Sequence, residues 1–195
     1  MPLVPAETSL FPERLLEPSE TVADASARWW VLHTRPRAEK SLARRLLGRE
    51  VGFYLPLYEN RLVYGDRVRS SYLPLFPGYV FLHGNDEDRR LALETNQIAQ
   101  SLPVSDQAEL WSDLRRIHQL IETRQNLTPE QRLQPGTPVR IIAGAFAGMT
   151  GEVIRQGRQL RFLIAVKFLQ CGASVDVESW MIEPLEAPFR LSDAN

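Results

Sequence analysis

The hydrophobic period of this chain changes once, near residues 125–135, and that change limits what it can fold into. Upstream, Ala38, Leu42, Ala43, Leu46 and Leu47 recur on one helical face, and Leu110, Leu114, Ile117, Leu120 and Ile121 on another. Aromatic and β-branched runs at 29–33, 53–58, 61–64, 67–75 and 79–82 read as strands around these helices. Downstream the helical period is absent. Short apolar runs at 139–142, 150–155, 160–168 and 174–177 are separated by glycine-bearing turns, the pattern of a small closed barrel. Between the two regimes, Asn126, Pro129, Glu130, Gln131, Gln134 and Pro135 read as a linker. The expected class is α+β. An N-terminal sheet flanked by helices occupies 28–125, a linker 126–135 and a barrel 136–186, with tails at 1–27 and 187–195. Residues 1–27 carry four prolines among acids, so a flexible tail is expected there.

Local signals refine the elements. Thr34 is placed to cap the first helix, with Pro36 in its first turn and Gly48 near its end. Gly65-Asp66 marks a hairpin turn. A short helix is expected at 86–95, extended chain at 98–104 and a longer helix at 106–123. In 144–151 the glycines serve a strand–turn–strand connection that needs positive φ.

An active site does not emerge. His33, His83 and His118 have no metal-ligand spacing with each other or with Cys171, the single cysteine. There is no Gly-x-Ser-x-Gly elbow, and 144–151 lacks the Gly-Lys-Ser/Thr ending of a phosphate loop. Asp86-Glu87-Asp88 reads as a helix start, where acids favour the dipole. No enzymatic activity, cofactor or metal is therefore expected. The chain has no apolar run of about 18 residues and no basic-then-apolar leader, so a membrane segment and secretion are not expected and a cytoplasmic location is.

The formal net charge of −1 hides an asymmetry. Residues 28–69 hold ten Arg and Lys against four acids, whereas 1–27 hold five acids against Arg14. Arg37, Lys40, Arg44 and Arg45 line one face of the first helix. Taken alone this is a solvated helix surface; it is also where a nucleic acid would be met.

Two motifs in order carry a family resemblance. Trp29-Trp30-Val31-Leu32-His33-Thr34, then a basic helix, then Leu75-Phe76-Pro77-Gly78-Tyr79-Val80-Phe81 resembles the N-terminal domain of NusG/RfaH-family transcription factors. Pro135-Gly136-x-x-Val139-Arg140-Ile141 followed by Gly144-x-Phe146-Ala147-Gly148-x-x-Gly151-Glu152-Val153 resembles the family's KOW motif. The resemblance spans about 28–185 and implies a five-stranded SH3-like barrel after the first domain. It implies a monomeric elongation factor that binds RNA polymerase, suppresses pausing and promotes antitermination.

The resemblance also implies roles for residues. An apolar depression grips the coiled-coil clamp helices of the largest polymerase subunit. Trp29, Phe76 and Tyr79 match it, with Leu32 or Tyr54 lining it. Read from residue type alone, Trp29 and Phe76 are ordinary core. The helix face of Arg37, Lys40, Arg44 and Arg45 would lie toward upstream or non-template DNA, with Arg61, Arg67 and Arg69 of the hairpin adding to it. Phe168, Leu169 and Cys171 align with the loop that meets Rho or a ribosomal protein. Members typically read Phe-Gly-Arg there. This chain reads Leu169-Gln170-Cys171, without that arginine, which counts against Rho and leaves a ribosomal protein as the expected partner. The altered loop, the acidic first segment and the Arg/Tyr-rich hairpin point to a specialised paralogue. The competing readings are a general member coupling to Rho and ribosome, and an RNA- or ribosome-binding KOW protein without polymerase contact.

Overall fold

In the computed structural model of the chain, residues 7–17, 26–64, 67–125, 127–130, 136–156 and 159–185 are described, without the side chains of 62–64, 67, 68, 155 and 156. The upstream elements are β1 (Leu10–Phe11), β2 (Arg28–Thr34), α1 (Glu39–Leu47), β3 (Gly52–Tyr54), β4 (Leu57–Tyr64), β5 (Arg67–Pro74), β6 (Tyr79–Gly84), α2 (Asp86–Leu93), β7 (Ile98–Pro103) and α3 (Gln107–Glu122). Strand order in the main sheet is β1-β3-β6-β2-β7, antiparallel throughout. β4 and β5 form a separate two-stranded hairpin.

β2 is apolar on both faces because both are covered. Trp29 and Val31 join Tyr54, Phe81 and the α3 residues Leu110, Leu114, Ile117 and Leu120 in one cluster. Trp30 and Leu32 join Phe53, Val80 and Leu82 with Leu42, Ala43 and Leu46 of α1 and Ala92 of α2 in the other. Each fully buried Leu or Val contributes about 1.5–3 kcal/mol relative to exposure. Both helical periods expected from the sequence are present, and α3 is capped by the Asp106 side chain, which accepts from the Glu109 N–H at 2.8 Å.

The entry to α1 differs from expectation. Thr34 stays in the sheet, its N–H donating to the Gly78 carbonyl at 2.8 Å, and the helix starts only at Glu39 after an Ala38 cap without a side-chain bond. The acids of α2 are engaged by neighbours. Asp86 pairs with Arg28 and Glu87 with Arg90, while Asp88 closes a capping box with Asn85.

The first segment, expected as a tail, contributes an edge strand. Leu10 pairs with Tyr54 and Phe11 with Phe53, and the Leu55 N–H donates to the Ser9 carbonyl at 2.7 Å. Leu10 and Leu16 are buried in the α3-side cluster. A two-residue strand is enough to cover the β3 edge, too short for any periodicity to register.

Downstream lie β8 (Thr128–Glu130), β9 (Thr137–Ile141), β10 (Thr150–Gln156), β11 (Gln159–Val166), β12 (Cys171–Val177) and β13 (Ile182–Pro184), in the order β13-β9-β10-β11-β12-β8. The expected five strands are six, because the linker supplies β8 against β12. A polar network fastens it. The Ser174 hydroxyl donates to Glu130 Oε1 at 2.5 Å, and Arg161 Nε donates to the Ser174 hydroxyl at 2.9 Å and pairs with Asp176 at 3.1 Å. Gly144 and Gly148 take positive φ as expected, but Gly151 serves close approach: a Cβ there would meet the Leu163 carbonyl oxygen at 2.6 Å.

If the first segment is part of the folded unit, Leu16→Ala empties a buried site and should cost about 2 kcal/mol or more of unfolding free energy. Urea titration of the full chain measures it; an unchanged midpoint would mean the segment adds nothing to the core.

Candidate functional site

The Phe76–Tyr79 turn is fixed from two sides. Gly78, at φ +85°, receives the Thr34 N–H on its carbonyl and gives its own N–H to Glu39 Oε1 at 2.7 Å. Glu39 is itself buried, so a charge-assisted bond ties the turn to the first residue of α1. The Phe76 ring meets Phe81 edge-on at 6.0 Å, and Tyr79 stacks on His33 at 5.1 Å. Trp29 lies against His83 at 4.9 Å. Tyr54 meets His118 edge-on at 5.6 Å, and burial, with Glu122 nearby, pushes its hydroxyl pKa well above the usual phenol range.

The structure brings Trp29, Tyr54, Phe76 and Tyr79 onto one side of the sheet. Leu32 is not among them. It sits in the α1-side cluster, because successive residues of β2 face opposite ways. Trp29, Tyr54 and Phe76 are 4%, 1% and 3% exposed, so they form a floor, and Tyr79 is the member that reaches partly into the open.

The β-domain loop stands over this floor. Leu169 and Cys171 face Leu75, Phe76, Pro77 and Tyr79 across a cavity of about 250 Å³. The loop is a single 3-10 turn, Lys167–Leu169, held to α3. The Lys167 N–H donates to Asp113 Oδ2 at 3.0 Å, and its ammonium donates to Glu109 at 2.6 Å, which raises the lysine pKa. Asp113 is fully buried and also receives Arg116. Phe168, Leu169 and Cys171 are thus divided: Phe168 is 37% exposed, while the other two turn inward. Burial pushes the Cys171 thiol pKa up from 9.0 to about 11.

The basic residues form two patches. Arg37, Lys40 and Arg44 line a groove of about 320 Å³ against Pro74 and Pro77, with Arg45 exposed on α1; Arg37, expected on the helix face, instead precedes α1 at φ +61°, because the helix starts only at Glu39. Glu7 reaches this face, 3.7 Å from Lys40 and 3.4 Å from Arg44. Arg61 lies apart, paired with Glu59 at 2.9 Å in a second groove that includes Tyr72 and Arg124. Register pairs Arg61 with Ser70 and Arg69 with Leu62, so Arg61 and Arg69 occupy opposite faces of the hairpin. The Arg67 side chain lies outside the described residues.

Glu39 and Asp113 belong to the site although the sequence reading does not name them, and His33, weighed there as a metal ligand and quoted in the family motif, stacks on Tyr79 instead. Glu39 carried only the signal of an acid in a first helical turn, and Asp113 that of a polar residue inside an amphipathic helix.

Residues 27–125 match the family described as Transcription termination factor nusG. The chain belongs to the NusG family. Members of the family are transcription factors. The transcription termination/antitermination protein NusG of Pseudomonas aeruginosa is 28% identical over 170 residues, spanning 77% of this chain and 93% of that one. Among solved structures, a chain of the MjSpt4:Spt5 complex is 16% identical and covers 80% of this chain and 96% of its own, at a TM-score of 0.28. The α+β architecture with a small second β domain agrees with NusG-family membership. Among the described residues, no helix is long and apolar enough to cross a membrane.

Seclusion of Cys171 is measurable. At pH 8 the native thiol should react with a disulfide reagent more than about ten-fold slower than the urea-unfolded chain, since the thiolate is the nucleophile. Its contribution to stability is intact below pH 9.0 and lost as pH rises toward about 11, because only the unfolded chain releases the proton in that window. Equal labelling rates in the two states would show that the thiol is not secluded.

Proposed function

We propose that this NusG-family chain is an elongation factor that attaches to RNA polymerase through the face bearing Phe76 and Tyr79. The intended contact is the coiled-coil clamp helices of the largest subunit, and the outcome is suppressed pausing and antitermination by a specialised paralogue. One observation carries the reading: an apolar depression whose turn is held rigid by Glu39 and Thr34 and whose mouth is met by Leu169 and Cys171. A preorganised aromatic rim suits a helical partner because little conformational entropy is lost on contact. Trp29, Tyr54 and Phe76 shape the floor, and Tyr79, Pro77 and the adjacent His33 supply the contact. With the β domain seated, Leu169 competes for that mouth, so engagement needs the loop to leave α3.

The patch of Lys40, Arg44 and Arg45 on α1, with Arg37 just before it, then meets upstream or non-template DNA through phosphates, without reading bases, as a factor moving along any sequence requires. Arg61 and Arg69 face different ways and extend that contact only on one side of the hairpin at a time. On the β domain, exposed Phe168 offers an apolar contact to a ribosomal protein. Gln170 and Cys171 stand where Rho-binding members carry glycine and arginine, so Rho is not proposed. The chain works as a monomer with the polymerase in the cytoplasm.

Pull-down and single-round pausing with purified polymerase test this. Tyr79→Ala, at a half-open site, should fold normally by circular dichroism and lose about ten-fold in polymerase affinity, near 1.4 kcal/mol. Phe76→Ala is unsuitable, because emptying that buried site costs about 3–5 kcal/mol of stability. If neither wild type nor a Leu169→Glu variant with a displaced loop binds polymerase, the reading fails. RNA binding by either chain would then favour the KOW-module alternative.

A further inference from the structure

Glu7, in the acidic stretch 7–17, lies against the basic face of α1. We propose that this segment is an anionic occupant, built into the chain, of the surface that would take a nucleic-acid phosphate backbone. Glu7 must release Lys40 and Arg44 before phosphates can engage them. The inference rests on α1 being the nucleic-acid face.

The segment is anchored by its apolar residues. Leu10 and Leu16 are buried, β1 pairs with β3, and the Ser9 carbonyl accepts the Leu55 N–H. Two residues before Ser9, Glu7 is therefore held within reach of α1, whose Lys40 and Arg44 line the groove against Pro74 and Pro77. Its two carboxylate oxygens divide between cations: Oε2 lies 3.7 Å from Lys40 Nζ and Oε1 3.4 Å from Arg44 Nη2. Lys40 and Arg44 stand four residues apart on one face, so a single carboxylate bridges them. Among the described residues, Glu7 is the carboxylate within ion-pair distance of either. The segment's own charge is acidic, with Glu7, Glu13 and Glu17 against Arg14.

The strength of this contact suits displacement. Both pairs are longer than a direct charge-assisted hydrogen bond; Arg44 is mostly exposed, and Lys40 and Glu7 are 34% and 30% exposed, so the Arg44 pair is screened and the Lys40 pair is weakened by its length. A phosphate polymer presents many charges and releases counterions on binding, which lets it outcompete one carboxylate. The anchor at Leu10 and Leu16 does not need to move; the Glu7 side chain does. The segment thus lowers basal affinity for nucleic acid without blocking it, and its effect fades as salt screens the pair.

Fluorescence anisotropy with a labelled mixed-sequence duplex and the matching single strand tests this on the full chain. At low salt, about 50 mM, Glu7→Gln should tighten binding by about two- to five-fold. Glu13→Gln removes the same charge from an exposed position of the segment and should change affinity little. Lys40→Gln/Arg44→Gln should weaken binding and abolish the gain from Glu7→Gln, and the wild-type and Glu7→Gln curves should converge at high salt. If Lys40→Gln/Arg44→Gln weakens binding while Glu7→Gln matches wild type or Glu13→Gln, the intrachain occupant is refuted and the nucleic-acid face survives. If Lys40→Gln/Arg44→Gln leaves affinity unchanged, or no chain binds, the nucleic-acid reading of α1 falls and the inference with it.

Discussion

The two-sided burial of β2 is the constraint on which the rest depends. A central strand with one polar face would leave either α1 and α2 or α3 without a floor. Trp29 and Val31 hold α3, Trp30 and Leu32 hold α1 and α2, and β6 and β7 satisfy its backbone on both edges. The α3-side cluster then continues past the helix into Val139, Ile141, Phe162 and Ile164 of the β domain. One helix is therefore shared by two apolar surfaces, and the position of the β-domain loop over the Phe76 turn follows from that sharing.

What was legible in the sequence was whatever repeats. The helices α1 and α3 have several turns of 3.6-residue period, and the downstream strands have glycine punctuation. Elements without repetition were not legible. β1 has two residues and β8 three, each stabilised by pairing with a strand far along the chain. The Thr34 cap failed for a related reason: a tertiary bond to Gly78, 44 positions away, held its backbone in the sheet. Local propensity loses to such a bond when the strand is already buried.

The candidate site divides along the same line. The aromatic motif names residues that share one face, Trp29, Tyr54, Phe76 and Tyr79, yet strand alternation alone sets Leu32 apart from Trp29, since they differ by an odd number of residues. Exposure was the harder property. Whether an aromatic is a floor or a rim depends on what packs above it, and for Trp29, Tyr54 and Phe76 the covering residues come from α3, the first segment and the β domain. The ties that hold the site, from Glu39 to Gly78 and from Asp113 to Lys167, join residues 39 and 54 positions apart and leave no trace in spacing.

The energies of these ties sort the molecule into parts that stay and parts that move. The sheet and its helices are held by many side chains at about 1.5–3 kcal/mol each. The β-domain loop is held to α3 by a charge-assisted bond to buried Asp113, worth about 1.5–3 kcal/mol, and an exposed Lys167–Glu109 pair worth less. Glu7 is held by two ion pairs longer than a direct hydrogen bond, one of them to the exposed Arg44. On the functional reading, the depression at Phe76 and Tyr79 and the basic face of α1 are each covered by a piece of the chain itself, and in each case the cover is the weaker side of the contact. A partner offering a larger apolar area or a denser run of phosphates displaces either cover without disturbing β2, because Trp29 and Val31 stay packed on α3, and Trp30 and Leu32 on α1 and α2, when Leu169 or Glu7 withdraws.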